Sequence, residues 1–230
     1  MPTMPEREMR IGVFGGTFDP PHRAHLEIAL AAIDALRLDH LEMIPTRRPP
    51  HRPQAETSSW HRHAMCVLAA LDHPKILVST REFDRGGTSY TIDTLEELRR
   101  EHPLAEIFLV LGGDAYRDLR EWKDWQGIID IARLAVISRP RRDGDDAQRW
   151  PEGLPPMIEI PMKPSPISAS TIRERLAKGE TPGDALDRRV LSYLERHGLY
   201  RASRTGNRGL LGHNPTDPSN RNRSNQSDSE

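Results

Sequence analysis

Cysteine is nearly absent from this chain of 230 residues: Cys66 stands alone. One thiol excludes an internal disulfide framework and a cysteine-cluster metal site. It lies in an apolar helical run, MCVLAAL, and reads as a plain buried residue rather than a nucleophile. No apolar run approaches the ~18 residues of a membrane-crossing helix. The N-terminus, MPTMPEREMR, lacks the apolar core of a secretory signal. Charge of one sign is missing too. With 33 basic and 34 acidic residues the net charge is −1, so nothing pulls the whole chain toward nucleic acid or an anionic membrane. Aromatic residues make up only 5%, which further weakens a nucleic-acid reading. Both usual phosphate fingerprints are lacking, the dinucleotide G-x-G-x-x-G and the Walker G-x-x-x-x-G-K-[ST]. These absences leave a soluble, cytoplasmic protein in which any anion site must be local.

What is present alternates. RIGVF (10–14), LEMIP (41–45), ILVST (76–80), EIFLVLG (106–112) and LAVIS (134–138) are short runs rich in Val, Ile and Leu. Such runs predict strands buried on both faces. MIEIP (157–161) is a sixth, weaker one. Helical periods fall between them, over 23–37, 59–72, 91–102 and 114–132. Strand–helix alternation predicts an α/β fold: a Rossmann-like open parallel sheet with helices on both faces. The stretch 139–156 has almost no apolar period and reads as a surface loop. SASTIRERLAKGE and GDALDRRVLSYLERHGLY mark two late helices. Residues 202–230 are mostly Ser, Asn, Arg, Gly, Asp and Pro, and predict a disordered tail. The expected organisation is a flexible N-terminus (1–9), one domain (10–201) and that tail.

GGTFDPPHRAH (15–25) joins the first strand to the first helix. Ligands of open α/β sheets bind beyond the carboxyl ends of strands. Gly15 and Gly16 would permit unusual backbone conformations and a close ligand approach. A helix start offers free N–H groups and a positive dipole end to phosphate. His22 and His25 are three apart. If His22 opens the helix, both imidazoles share one face of its first turn and can donate to anionic oxygens. His-x-x-His is also a metal spacing, but only Asp19 stands near as a further ligand, so no protein-held metal is expected.

These residues resemble the H-x-G-H nucleotidyltransferase superfamily. Here the element reads His22-Arg23-Ala24-His25, with Ala24 in the glycine position. ISASTIRERL (167–176) resembles the superfamily's C-terminal I-S-S-T-x-I-R element; on its own it would be an N-cap followed by an amphipathic helix. Within the superfamily the likeness is to bacterial nicotinate-nucleotide adenylyltransferases, over about residues 10–201. IPTRRPPHRP (44–53) is similar to their substrate loop, and GGTSYTIDTL (86–95) to their S-Y-T-x-x-T-L element. LGGDAYRDLREWKDW (111–125) is similar to their G-x-D segment with a tryptophan, and VISRP (136–140) to a strand before a basic contact.

The resemblance implies adenylyl transfer from ATP to nicotinate mononucleotide in NAD biosynthesis, with Mg²⁺ held by the ATP phosphates. It implies His22, His25 and Arg173 as catalytic residues. Gly15, Gly16, Thr17, Phe18, Asp114, Ser168, Ser170 and Thr171 would bind ATP. His51, Arg52, Tyr90, Thr91, Trp122 and Arg139 would bind the acceptor nucleotide, with Trp125 the rival of Trp122 for stacking on the ring. On residues alone, Asp114 reads equally as a helix N-cap, and Arg47-Arg48 as solvated charge. Other readings are a related transferase with another phosphate acceptor, or a non-catalytic nucleotide-binding regulator. The expected partners are the two nucleotides, without nucleic acid or membrane, in a monomer or homo-oligomer.

Overall fold

Six strands, Arg10–Gly16 (β1), His40–Pro45 (β2), Ile76–Val78 (β3), Glu106–Gly112 (β4), Arg133–Ser138 (β5) and Met157–Pro161 (β6), form one sheet in a computed structural model of the chain. The structure describes residues 8–48, 55–138, 150–163 and 165–201. Strand order is β3-β2-β1-β4-β5-β6, and every pairing is parallel. The chain winds outward from β1 to β3 and then returns to place β4 against the other side of β1. The topological switch point therefore lies between β1 and β4, where a crevice opens at the strands' carboxyl ends.

The central strands β1, β2, β4 and β5 are buried on both faces, as their apolar runs predict, whereas the edge strands β3 and β6 are partly exposed. Phe14, Phe108, Val110 and Ala135 point to one side. Val13, Ile107, Leu109, Leu111, Leu134 and Val136 point to the other. Helix α1 (Arg23–Leu36) covers the first face with Ala29, Ala32, Ile33 and Leu36, a stripe at helical spacing. Helix α2 (Ser59–Ala70) joins it through Cys66 and Ala70. Cys66 is fully buried, which pushes its thiol pKa up and keeps it inert. On the second face lie α4 (Thr91–Glu101), supplying Ile92, Leu95 and Leu98, and α6 (Trp125–Ile131), supplying Ile128. Helices α7 (Ala169–Ala177) and α8 (Arg188–His197) pack Ile172, Val190 and Leu194 onto Met65 and Ala69 of α2.

Three differences from the sequence expectation bear on the site. A short helix, α3 (Arg81–Arg85), follows β3 where strand was expected to 80. Its five residues are too few to show a period. The helix expected over 114–132 is broken into α5 (Gly113–Arg117), a 3₁₀ turn at Leu119–Glu121, and α6. Trp122 is extended there (φ −77°, ψ 145°). Asp124 is left-handed (φ 47°), and its side chain accepts from Gly127 N–H to cap α6. The last difference is at the glycines: Gly15 and Gly16 are not turn residues but the end of β1, paired with Ile44 and Pro45 of β2. The left-handed residue is Phe18 (φ 49°). The expected tail and most of the loop at 139–156 lie outside the described residues.

Candidate active site

The crevice at the switch point is a cleft of about 320 Å³. Gly15, Gly16 and Thr17 from the end of β1 form one wall. Leu111 and Gly112 from β4 form the floor, and Tyr90, Thr91 and Trp122 the opposite wall. Gly16 is required by space, not by conformation: a Cβ there would stand 2.8 Å from the Phe18 ring. A Cβ on Gly15 would meet nothing within 4 Å, so that backbone is open to a ligand.

The two histidines stand directly after this wall. His22 is the N-cap of α1, and its ring stacks on that of His25 with centroids 3.7 Å apart. His25 Nδ1 accepts from the His22 backbone N–H at 3.2 Å. That bond fixes the neutral tautomer of His25 with its proton on Nε2. Phe18 packs edge-on against His25 (4.9 Å) and Phe14 (5.5 Å), holding the ring from behind. The Phe18 side chain itself is buried and supports the His25 ring. The His22 Nδ1 is buried without a hydrogen-bond partner among the described residues. Burial pushes His22 down to about 4. It pushes His25 well below its ordinary value, and the neighbouring His22 adds to that. Both imidazoles are thus neutral at pH 7, ready to donate to an anion.

The second element reaches the same loop. Ser168 caps α7, accepting from Thr171 N–H (3.2 Å), and its hydroxyl meets those of Ser170 (3.1 Å) and Thr171 (2.8 Å). One turn on, Arg173 donates to the Asp19 carbonyl (2.8 Å) and pairs with Glu56 (2.6 Å). So the structure brings α7 to the β1–α1 loop across more than 150 residues of chain. Ala24, in the glycine position of the signature, is buried in the first turn of α1.

Of the two tryptophans, Trp122 lines the cleft, whereas Trp125 does not and stacks under the Arg120 guanidinium at 5.5 Å. The break after α5 produces this: it turns Trp122 inward instead of along a helix surface. Lys123 fastens the segment to the start of α4, pairing with Asp93 (3.0 Å) over the Tyr90 ring (4.5 Å). Asp114 lies outside the cleft. It is not a helix cap, since Gly112 has that place, and its carboxylate, 97% exposed, pairs with Arg117. His51, Arg52 and Arg139 lie outside the described residues.

Two residues that hold the site together, Arg62 and Tyr200, have no place in the motifs. Arg62 is buried in α2 and donates to the carbonyls of Thr17 (2.5 Å), Thr46 (2.6 Å) and Thr57 (3.3 Å). Its signal was visible: with Met65, Cys66 and Ala69 it completes the buried stripe of the helix, where a charge needs partners. Asp19 is buried and accepts from Glu56 N–H (2.9 Å) and from the Tyr200 hydroxyl (2.5 Å). Nothing local announces that last contact.

A β1–helix loop with paired histidines, a distant Ser/Thr-Arg element and a cleft at the switch point define a nucleotidyltransferase. A family model, cytidylyltransferase-like, matches residues 13–175. A Thermus thermophilus protein named "Probable nicotinate-nucleotide adenylyltransferase" is 40% identical over 84% of this chain and 100% of its own length. One of the same name from Hydrogenovibrio crunogenus is 36% identical over 83% of this chain and 97% of its own. The chain belongs to the nicotinate-nucleotide adenylyltransferase family. The solved Plasmodium falciparum nicotinic acid mononucleotide adenylyltransferase, complexed with APC, shares the fold: TM-score 0.64 at 23% identity, over 84% of this chain and 98% of that one.

Proposed function

We propose that this enzyme transfers the adenylyl group of ATP to nicotinate mononucleotide, giving nicotinate adenine dinucleotide and pyrophosphate, a step of NAD biosynthesis. The observation that carries this reading is a cleft lined by Gly15, Gly16 and Thr17 of the β1 end and by Tyr90, Thr91 and Trp122, with the stacked His22–His25 pair at the helix start that follows the glycine wall. The acceptor's phosphate oxygen attacks the α-phosphorus of ATP. The new P–O bond forms as the bond to the β-phosphate bridging oxygen breaks, and pyrophosphate leaves with that electron pair. A phosphate monoester has its second pKa near 6, so it is already largely dianionic at pH 7 and needs no general base. The barrier is repulsion between two anions and the charge on the leaving group, so catalysis is alignment plus electrostatic stabilisation.

On that scheme Gly15, Gly16 and Thr17 let the nucleotide lie against bare backbone. His22 and His25 donate to the triphosphate, and Ser168, Ser170, Thr171 and Arg173 hold it from the α7 side. Arg173 would give up its Glu56 contact or use its remaining N–H groups. Tyr90 and Thr91 offer the free N–H groups of α4 to the nicotinate carboxylate. His51, Arg52 and Arg139 remain proposals for the acceptor phosphate. Among the described residues no three potential ligands gather for a metal. On this scheme Mg²⁺ would be held by the ATP phosphates, supplying charge neutralisation for the departing pyrophosphate.

Pyrophosphate release with ATP and Mg²⁺, measured for each acceptor in turn, tests the assignment. Turnover should be highest with nicotinate mononucleotide. Equal or faster turnover with nicotinamide mononucleotide or phosphopantetheine would overturn it.

The two tryptophans separate in the same assay. Trp122→Ala should raise KM for nicotinate mononucleotide roughly tenfold by removing the stacking face, and Trp122→Phe should recover most of that. Trp125→Ala should lower the melting temperature and leave this KM near the parent value. The opposite pattern would make Trp125 the stacking residue.

A further inference from the structure

The mechanism above uses no carboxylate in the acceptor half of the cleft, yet one is buried there. Glu82 of α3 lines the cleft beside Ser89, Tyr90 and Thr91, and is 7% exposed. Its Oε2 accepts from the backbone N–H of Arg47 at 2.9 Å. Its side chain is also hydrogen-bonded to that of Ser89. The direction of that bond follows from the other bond Ser89 makes. Ser89 Oγ accepts from Arg48 N–H at 3.2 Å, so its own proton is available for the carboxylate. Ser89 N–H donates in turn to the Arg48 carbonyl at 3.0 Å.

Three separate pieces of chain meet at this carboxylate. Segment 46–48 leads straight into 49–54, which carries His51 and Arg52. It is also tied to the glycine wall, since Thr46 N–H donates to the Gly16 carbonyl at 2.8 Å. Ser89 is the residue before Tyr90, the N-cap of α4. Between Glu82 and Ser89 the chain turns through Gly86 and Gly87, both left-handed (φ 70°), so that loop has no regular structure of its own to fix it. Burial pushes the Glu82 carboxyl up; the two hydrogen bonds and the Arg85 and Arg62 guanidiniums oppose this. The donors are both on the protein, so the charge is spent on the loops rather than offered to a ligand.

We infer that Glu82 is a positioning residue for the acceptor: with Ser89 it locks segment 46–48, and through Thr46 the glycine wall, to the start of α4, and so fixes where the backbone N–H groups of Tyr90 and Thr91 stand in the cleft. The inference rests on the proposed acceptor half-site. It predicts an effect on one substrate only. Glu82→Ala leaves the Arg47 N–H and the Ser89 hydroxyl without their acceptor, and KM for nicotinate mononucleotide should rise on the order of tenfold. KM for ATP should stay within about twofold of the parent. Glu82→Gln keeps the shape and one acceptor oxygen but turns an NH₂ toward the second donor, so it should fall between. Ser89→Ala should move the same constant in the same direction. If Glu82→Ala does not fold, Glu82→Gln and Ser89→Ala carry the comparison, with melting curves taken alongside. Equal rises in both KM values would reduce Glu82 to general stability and overturn the inference, as would no rise in either. The parent enzyme is assayed first: failure to use nicotinate mononucleotide there sinks the acceptor assignment, not this one. In that case the KM compared is that of whichever phosphate acceptor the parent does use.

Discussion

His25→Ala is expected to lower kcat roughly 10²–10³-fold at saturating substrates, with a melting temperature close to the parent's. The ring is half-buried and packs on Phe18, but its bond to the helix is a single contact to the His22 N–H. What alanine removes is an oriented donor. His22→Ala should lose a similar factor. Because the rings are stacked at 3.7 Å and would share one anion on the proposed scheme, the double variant should lose less than the product of the two. An unchanged kcat in His25→Ala would reject the phosphate role for the pair.

The same pair gives a pH dependence of stability with a definite sign. Unfolded histidine titrates at 6.5, whereas folded His22 titrates at about 4. Between those values the unfolded chain binds a proton that the folded chain does not. His22 therefore contributes its stability fully above pH 6.5, and the contribution falls as pH drops toward 4. The slope from this group is at most about 1.4 kcal/mol per pH unit. Urea melts at pH 7 and 5 should show a smaller loss on acidification for His22→Ala than for the parent. Identical losses would show that the residue does not titrate this way.

Arg62→Ala is the largest stability effect we expect, about 3–5 kcal/mol. It leaves three carbonyls, of Thr17, Thr46 and Thr57, without their donor, and a cavity beneath the glycine wall. Burial lowers the Arg62 pKa while the Asp19 carboxylate raises it, so removing the guanidinium also leaves Asp19 a less compensated buried charge. For a domain of this size the melting temperature should fall by roughly 10 °C or more. Arg62→Lys should recover only part, since one ammonium cannot span three divergent carbonyls as a planar fork does. A melting temperature within a few degrees of the parent for Arg62→Ala would refute this account.

The sheet was legible because its strands are short, predominantly apolar runs, nearly unbroken in the central β1, β4 and β5, as burial on both faces requires. The helix starts at His22 and Ser168 were legible because a loop motif precedes an apolar period. The rest depends on contacts the period does not encode. Helix α3 is shorter than two turns. The break at Trp122 is set by Asp124 taking a left-handed conformation that sequence alone permits but does not demand. The glycines were read as turn formers, but Gly16 is small because Phe18 folds back over it. Asp114 stands at the start of α5 with its carboxylate exposed and paired with Arg117, a setting the motif does not encode.

The Tyr200–Asp19 contact joins the two ends of the described domain across 181 positions. A polypeptide is made from one end. The ribosome delivers the glycine wall, both histidines and Asp19 long before the Tyr200 hydroxyl that closes on Asp19. A growing chain can hold every residue of GGTFDPPHRAH and still lack the group that closes on its aspartate. The order of translation thus runs against the order of closure: this loop is built early and finished late.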